Sequence, residues 1–151
     1  MKSTGVLLAG IFVLIVAGAV ALIVLPAPQK AVAPTNGSST AQASLPDLIT
    51  VVEPLPGATV TSPLTIKGEA RGNWYFEASA PVTLYGQSGG LLAQGHVQAQ
   101  GEWMTTDYVP FEATLAFPAQ PAGSSGTLIV KNDNPSGDPS RDKTLEIPVK
   151  F

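Results

Sequence analysis

Residues 64–70 read Leu64-Thr65-Ile66-Lys67-Gly68-Glu69-Ala70, and residues 111–117 read Phe111-Glu112-Ala113-Thr114-Leu115-Ala116-Phe117. Both stretches alternate apolar or small residues with polar ones at period two. In an extended chain that spacing sends successive side chains to opposite faces. One face of each is therefore expected to be buried and the other solvated. Leu145, Ile147, Val149 and Phe151 repeat the pattern to the last residue, and no stretch of this region sustains a helical period.

Working outward, Leu48-Ile49-Thr50-Val51-Val52 is β-branched and is stopped by the turn cluster Glu53-Pro54-Leu55-Pro56-Gly57. Pro81-Val82-Thr83-Leu84-Tyr85 and Leu91-Leu92-Ala93-Gln94-Gly95-His96-Val97 flank Gln87-Ser88-Gly89-Gly90, a hairpin signature. Leu128-Ile129-Val130 adds a further strand. Seven or eight short strands between residues 47 and 151, punctuated by turns, predict an all-β, antiparallel β-sandwich, with a small barrel as the alternative. The strand over 144–151 suits a sheet edge, because Pro148 cannot donate to a ladder. At an edge it would be open to an added partner strand.

The N-terminal region is of another kind. Residues 5–25 carry no charge and as a helix would be about 32 Å long, enough to cross a hydrocarbon core of about 30 Å. The run exceeds the apolar core of a secretory signal, and Pro34 follows the nearest small-x-small site, Ala31-Val32-Ala33. With no cysteine there is no lipid attachment site, and no early glutamate marks a pilin-type helix. Residues 1–25 are therefore expected to be an uncleaved transmembrane signal-anchor, with a cleaved signal as the alternative. Lys2 and Lys30 bias the orientation little, and the expectation is a single-pass cell-membrane protein with its C-terminal domain outside the cytoplasm. Residues 26–46 contain four prolines and seven Ser, Thr, Asn or Gly, with no apolar periodicity. They read as a flexible linker, spanning roughly 25 Å.

The domain over 47–151 holds all eleven carboxylates and six of the eight basic side chains, since Lys2 and Lys30 precede it, for a net charge of −5. Such a surface gains nothing from counterion release, so nucleic acid is not an expected partner. The absence of cysteine leaves stability to packing.

Four blocks stand out: residues 60–70, Trp74-Tyr75-Phe76-Glu77, residues 103–112 beginning Trp103-Met104-Thr105-Thr106-Asp107-Tyr108, and Lys131-Asn132-Asp133-Asn134-Pro135-Ser136-Gly137. Their order and spacing resemble the immunoglobulin-like domain of bacterial spore-germination proteins, the domain found beside the GerM-type domain. The likeness covers nearly all of residues 48–151. It implies an immunoglobulin-like sandwich in a bacterial envelope protein, and it carries no established catalytic residues. The 151 residues hold no companion germination domain, so a general cell-surface module is the expectation.

The inventory of chemistry is thin. His96 is the only histidine and falls on an expected strand. There is no G-x-S-x-G elbow and no His/Cys metal cluster. Catalysis, cofactors and a metal centre are accordingly not expected. Asp133, Asn134, Asp138 and Asp142 concentrate oxygen donors in one loop, which has two readings. Calcium takes six to eight such oxygens, whereas Asx, Pro and Gly residues also build tight turns on their own. The closing glutamate of an EF-hand is missing, and Arg141 is at hand as a counter-ion for Asp138 or Asp142.

The aromatics offer a binding surface. In a strand Trp74 and Phe76 would share the core face and Tyr75 would lie outside with Glu77. Tyr75, Trp103 and Tyr108 are therefore candidate surface residues, able to stack on a sugar or anchor a protein interface. The competing reading is that these rings fill the core. The expected function is a non-catalytic, membrane-anchored extracytoplasmic module that binds an envelope protein or cell-wall polymer. A glycan-binding module and a structural spacer are the alternatives.

Overall fold

In the computed structural model, residues 43–45 and 47–151 are described. The expected anchor over 1–25, and the linker up to residue 42, lie outside the described residues. Among the described residues no helix is long and apolar enough to cross a membrane.

Among the described residues eight strands run in chain order: β1 (Ala43–Leu45), β2 (Ile49–Glu53), β3 (Leu64–Arg71), β4 (Ser79–Gly86), β5 (Leu91–Ala99), β6 (Tyr108–Leu115), β7 (Ser125–Lys131) and β8 (Thr144–Lys150). The last residues of the expected linker thus already belong to the sheet, as β1 pairs antiparallel with β2. The strand order is β1-β2-β3-β6-β5-β4-β7-β8. Between β5 and β6 the ladder is limited to Gln98↔Glu112 and Ala99↔Phe111. That short corner divides the sheet into two four-stranded layers, β1-β2-β3-β6 and β5-β4-β7-β8.

The period-two reading explains the packing. Leu64, Ile66 and Ala70 of β3 are buried, as are Val109, Phe111, Ala113 and Leu115 of β6, while Lys67, Glu69, Glu112 and Thr114 face water. From the other layer Ala80, Val82, Leu84, Leu128, Val130, Leu145, Ile147 and Val149 close the core. Each Val, Leu, Ile or Phe among them contributes roughly 1.5–3 kcal/mol on full burial. Gly68 lies opposite Phe111, and a Cβ there would come within 2.6 Å of the Phe111 ring. The aromatic ring needs that vacancy.

The opposite seam is stitched by the chain between β2 and β3. Lys150 donates its N–H to Ala58 O (2.9 Å), Val60 N–H to Lys150 O (2.8 Å) and Gly57 N–H to Pro148 O (2.7 Å). The bridge Thr59↔Lys150 is parallel. The sheet is thereby nearly closed, which reconciles the sandwich and barrel readings. As expected, β8 is the last strand in the order, but this crossing segment covers its C-terminal half. Phe151 ends the chain edge-to-face with Phe117, ring centroids 5.5 Å apart.

Candidate ligand-binding end of the sandwich

Three connections meet at one end of the domain. The registers Arg71↔Tyr108, Ser79↔Gln98, Ala99↔Phe111 and Lys131↔Thr144 bring together residues 72–78, 100–107 and 132–143. The first of these is the hub. It opens with a 3-10 turn, Gly72–Trp74, closed by Tyr75 N–H to Gly72 O at 3.2 Å. Gly72 N–H donates to Asp107 O (3.2 Å), and Trp74 O accepts from Asp133 N–H (2.9 Å), so the hub is bonded to both neighbours. A Cβ on Gly72 would collide with the carbonyl oxygens of Thr105 and Trp103. Beyond it, Phe76 and Ser79 exchange two backbone hydrogen bonds around Glu77 and Ala78, whose φ values are +50° and +60°. Two successive non-glycine residues in the left-handed region form the tight turn that a hairpin needs.

Two hollows flank Asn73. One, of about 430 Å³, is walled by Tyr75, Trp103, Met104, Thr105 and Thr106, with Met104 75% exposed. The other, of about 460 Å³, is lined by amides, hydroxyls and charges, among them Asn132, Asp133, Asn134, Ser136, Arg141 and Lys143. An apolar wall beside a polar one is the composition of a site that holds a ligand by contact area and orients it by hydrogen bonds.

The expected site residues sort as follows. Tyr75 is not a surface residue: it is 4% exposed and donates its hydroxyl to Val109 O at 2.7 Å. Burial pushes its phenol well above the ordinary range, and the nearby charge of Glu69 adds to the shift. Phe76, expected inside, is 41% exposed. The cause of both corrections is the 3-10 turn, since strand alternation does not hold where the backbone is not extended. Trp74 is buried as expected, but its indole N–H finds no partner among the described residues. Trp103 is half-buried against the core at the rim of the apolar hollow. The Tyr108 ring is stacked under the Arg71 guanidinium at 4.0 Å, so one of its faces is already occupied. Arg71 is further held by Thr106 O (3.1 Å) and Asp47 O (3.3 Å). Trp103 and Tyr108 thus do not both border the apolar hollow. His96 lies exposed on β5 and lines neither hollow.

The carboxylates of Asp138 and Asp142 are engaged by neighbours in and beside the 132–143 loop. Asp142 accepts from Lys131 Nζ (2.8 Å) and Asn134 Nδ2 (2.8 Å), which hold its carboxyl below the ordinary range. Asp138 caps a short 3-10 turn, accepting from Ser140 N–H (3.0 Å) and Oγ (2.8 Å), with Arg141 Nε at 3.8 Å. Asn132 Oδ1 accepts from Lys143 N–H (2.6 Å). Among the described residues no group of three acidic, His or Cys side chains is gathered around a metal position. Asn134, Asp138 and Asp142 are thus joined in a turn network of their own, while Asp133 enters through its backbone N–H to Trp74 O.

Asn73, Met104 and Arg71 were not singled out by sequence. Asn73 carried a signal, being the residue between the hub glycine and the first block tryptophan. The pairing of Arg71 with Tyr108 depends on register and has no local signature.

Fold and end-loops together define an immunoglobulin-like domain. The family described as the immunoglobulin-like domain of bacterial spore germination (Gmad2) matches residues 48–138, and the chain belongs to that family. No curated protein and no solved structure matches it.

Proposed function

We propose that the chain is a non-catalytic binding module of the bacterial cell envelope, carried at the membrane by its apolar N-terminal segment and engaging a partner through the Asn73 end of the sandwich. The observation that supports this reading is convergence. Three of the four sequence blocks distant along the chain are brought to one end, where they leave two adjoining hollows with complementary linings. The family's association with spore germination supports an envelope setting. The partner is an envelope protein, since an exposed methionine and a half-buried tryptophan beside polar groups suit an interface anchor with a polar rim.

A second reading, a cell-wall glycan, is favoured by one feature: Trp103 walls one hollow at Asn73, the residue that the amide-rich hollow also borders. Photo-crosslinking in intact cells decides between them. A photoreactive residue at Asn73 or Met104 of the full chain is expected to trap a discrete protein, and one at Ser88, at the opposite end, is not. Equal labelling from both ends would dismiss the site. Capture of glycan at Asn73, abolished by Trp103→Ala, would promote the second reading.

A further inference from the structure

The hairpin of β4 and β5 has a property that the loop-end site does not use. Residues 79–101 are 23 consecutive positions without a single Asp, Glu, Lys or Arg, while all seventeen charged residues of the 47–151 domain lie outside them. Within that hairpin β5 is also an incompletely paired strand. β4 covers one side of it throughout, from Ser79↔Gln98 to Tyr85↔Leu91. On the other side the β6 ladder reaches only Gln98 and Ala99.

Backbone alternation gives the direction of the unpaired groups. Ala99 N–H bonds towards β4, to Ala78 O (2.8 Å), and Gln100 N–H bonds the opposite way, to Pro110 O (2.7 Å). Gln94 and His96 therefore turn their N–H and C=O away from β4, and among the described residues they meet no ladder partner; the register shift beside Leu84 and Tyr85 ends this alternation, and Gly90 O accepts from Gly86 N–H on the β4 side (2.9 Å). Gln94 and His96 are exposed, as is Leu91 at 52%. Sheet proteins ordinarily blunt such an edge with charge, proline or a covering segment. β8 has all three: Glu146 and Lys150, Pro148, and the 57–60 crossing. β5 has none. A shallow hollow of about 390 Å³ between Pro81, Thr83, Gln94 and His96 lies over the outer face of the same hairpin.

We propose that β5 is a self-association strand, pairing antiparallel with β5 of a second copy about a two-fold axis at Gln94. An unsatisfied row of backbone donors and acceptors calls for an extended strand as occupant. A domain of net charge −5 repels its copy wherever carboxylates meet, and this charge-free hairpin is where two copies approach without that cost. The stretch without a β6 partner, 91–97, has Gln94 at its middle, so this register pairs Gln94 with its copy and stops where β6 begins. A two-fold contact is self-complementary by construction and closes at the dimer.

The chain contains no cysteine, so a single introduced thiol reports unambiguously. In the full chain, Gln94→Cys faces its own copy across the axis and is expected to form a disulfide-linked dimer under mild oxidation. His96→Cys, two residues away on the same exposed face, would sit roughly 13 Å from its copy, beyond the roughly 7 Å a disulfide can bridge. It should yield on the order of tenfold less dimer. Thr114→Cys, on the other layer, reports random collision. Gln94→Lys, read by sedimentation of the otherwise unaltered chain, should weaken association at least tenfold by opposing two ammonium groups. Absence of a Gln94→Cys dimer, equal yields at all three positions, or cross-links only to a different protein would each overturn the proposal.

Discussion

Tyr75 carries its hydroxyl into the dry interior, and its titration makes that burial measurable. Its folded pKa lies above the unfolded value of about 10. The stability from keeping the phenol protonated is therefore complete below about pH 10, and it is lost as pH climbs from there toward the folded value. Tyr75→Phe should remove this alkaline loss and, at neutral pH, cost about 1 kcal/mol for the bond to Val109 O. Urea unfolding at pH 7 and pH 11 checks both, and an unchanged alkaline slope in the variant would refute the assignment. A few residues on, Glu77 and Ala78 hold left-handed backbone at about 1–2 kcal/mol each. Ala78→Gly should accordingly stabilise by about 1 kcal/mol in the same assay; a loss of stability would show that the turn is unstrained. These residues mark where reading the sequence failed. Alternation placed Trp74 correctly but put Tyr75 and Phe76 on the wrong faces, because Gly72 starts a 3-10 turn whose cause, contact with the backbone at residues 103–107, lies some thirty positions downstream.

Among the elements, the strands were legible because their alternation is imposed by burial of one face: Leu64 and Ile66, Phe111, Ala113 and Leu115, and Leu145, Ile147 and Val149 keep the inner positions expected of them, whereas Phe117 and Phe151 fall beyond the ends of β6 and β8 and are only partly buried. The 132–143 connection was legible as a choice between turn and calcium loop, and only the geometry separates them. Asp142 titrates below the ordinary carboxylate range, so its bonds to Lys131 and Asn134 persist above about pH 4 and are released as pH falls through its lowered folded pKa. The Asn134 side-chain amide resonance should report that release, and Asp142→Asn should abolish the titration. Calcium at about 1 mM, enough to fill a weak extracellular site, should leave the same resonance unmoved, and a saturable shift would restore the calcium reading. The crossing over residues 57–60 was read only as the end of a turn cluster, since its partners, Pro148 and Lys150, lie about ninety residues away and no local pattern announces a parallel bridge.

For the domain as a whole, the two seams decide how the layers hold together. One is the two-residue corner of β5 and β6; the other is the crossing, backed by Phe151 against Phe117 and Gly126. Phe151→Ala should cost roughly 2 kcal/mol, short of the 3–5 kcal/mol of a fully buried phenylalanine, and calorimetry of the variant tests whether the last residue matters. The immunoglobulin-like fold was legible in the order and spacing of the sequence blocks, whereas the near-closure of the sheet was not. That closure has a mechanical side. The crossing segment and β8 run parallel, so tension entering the domain at Gly57 and leaving through Phe151 pulls the two strands along their lengths in opposite directions. The three bonds joining Gly57, Ala58 and Val60 to β8 then share the load side by side and yield together, where an antiparallel hairpin drawn from its open end would peel one bond at a time.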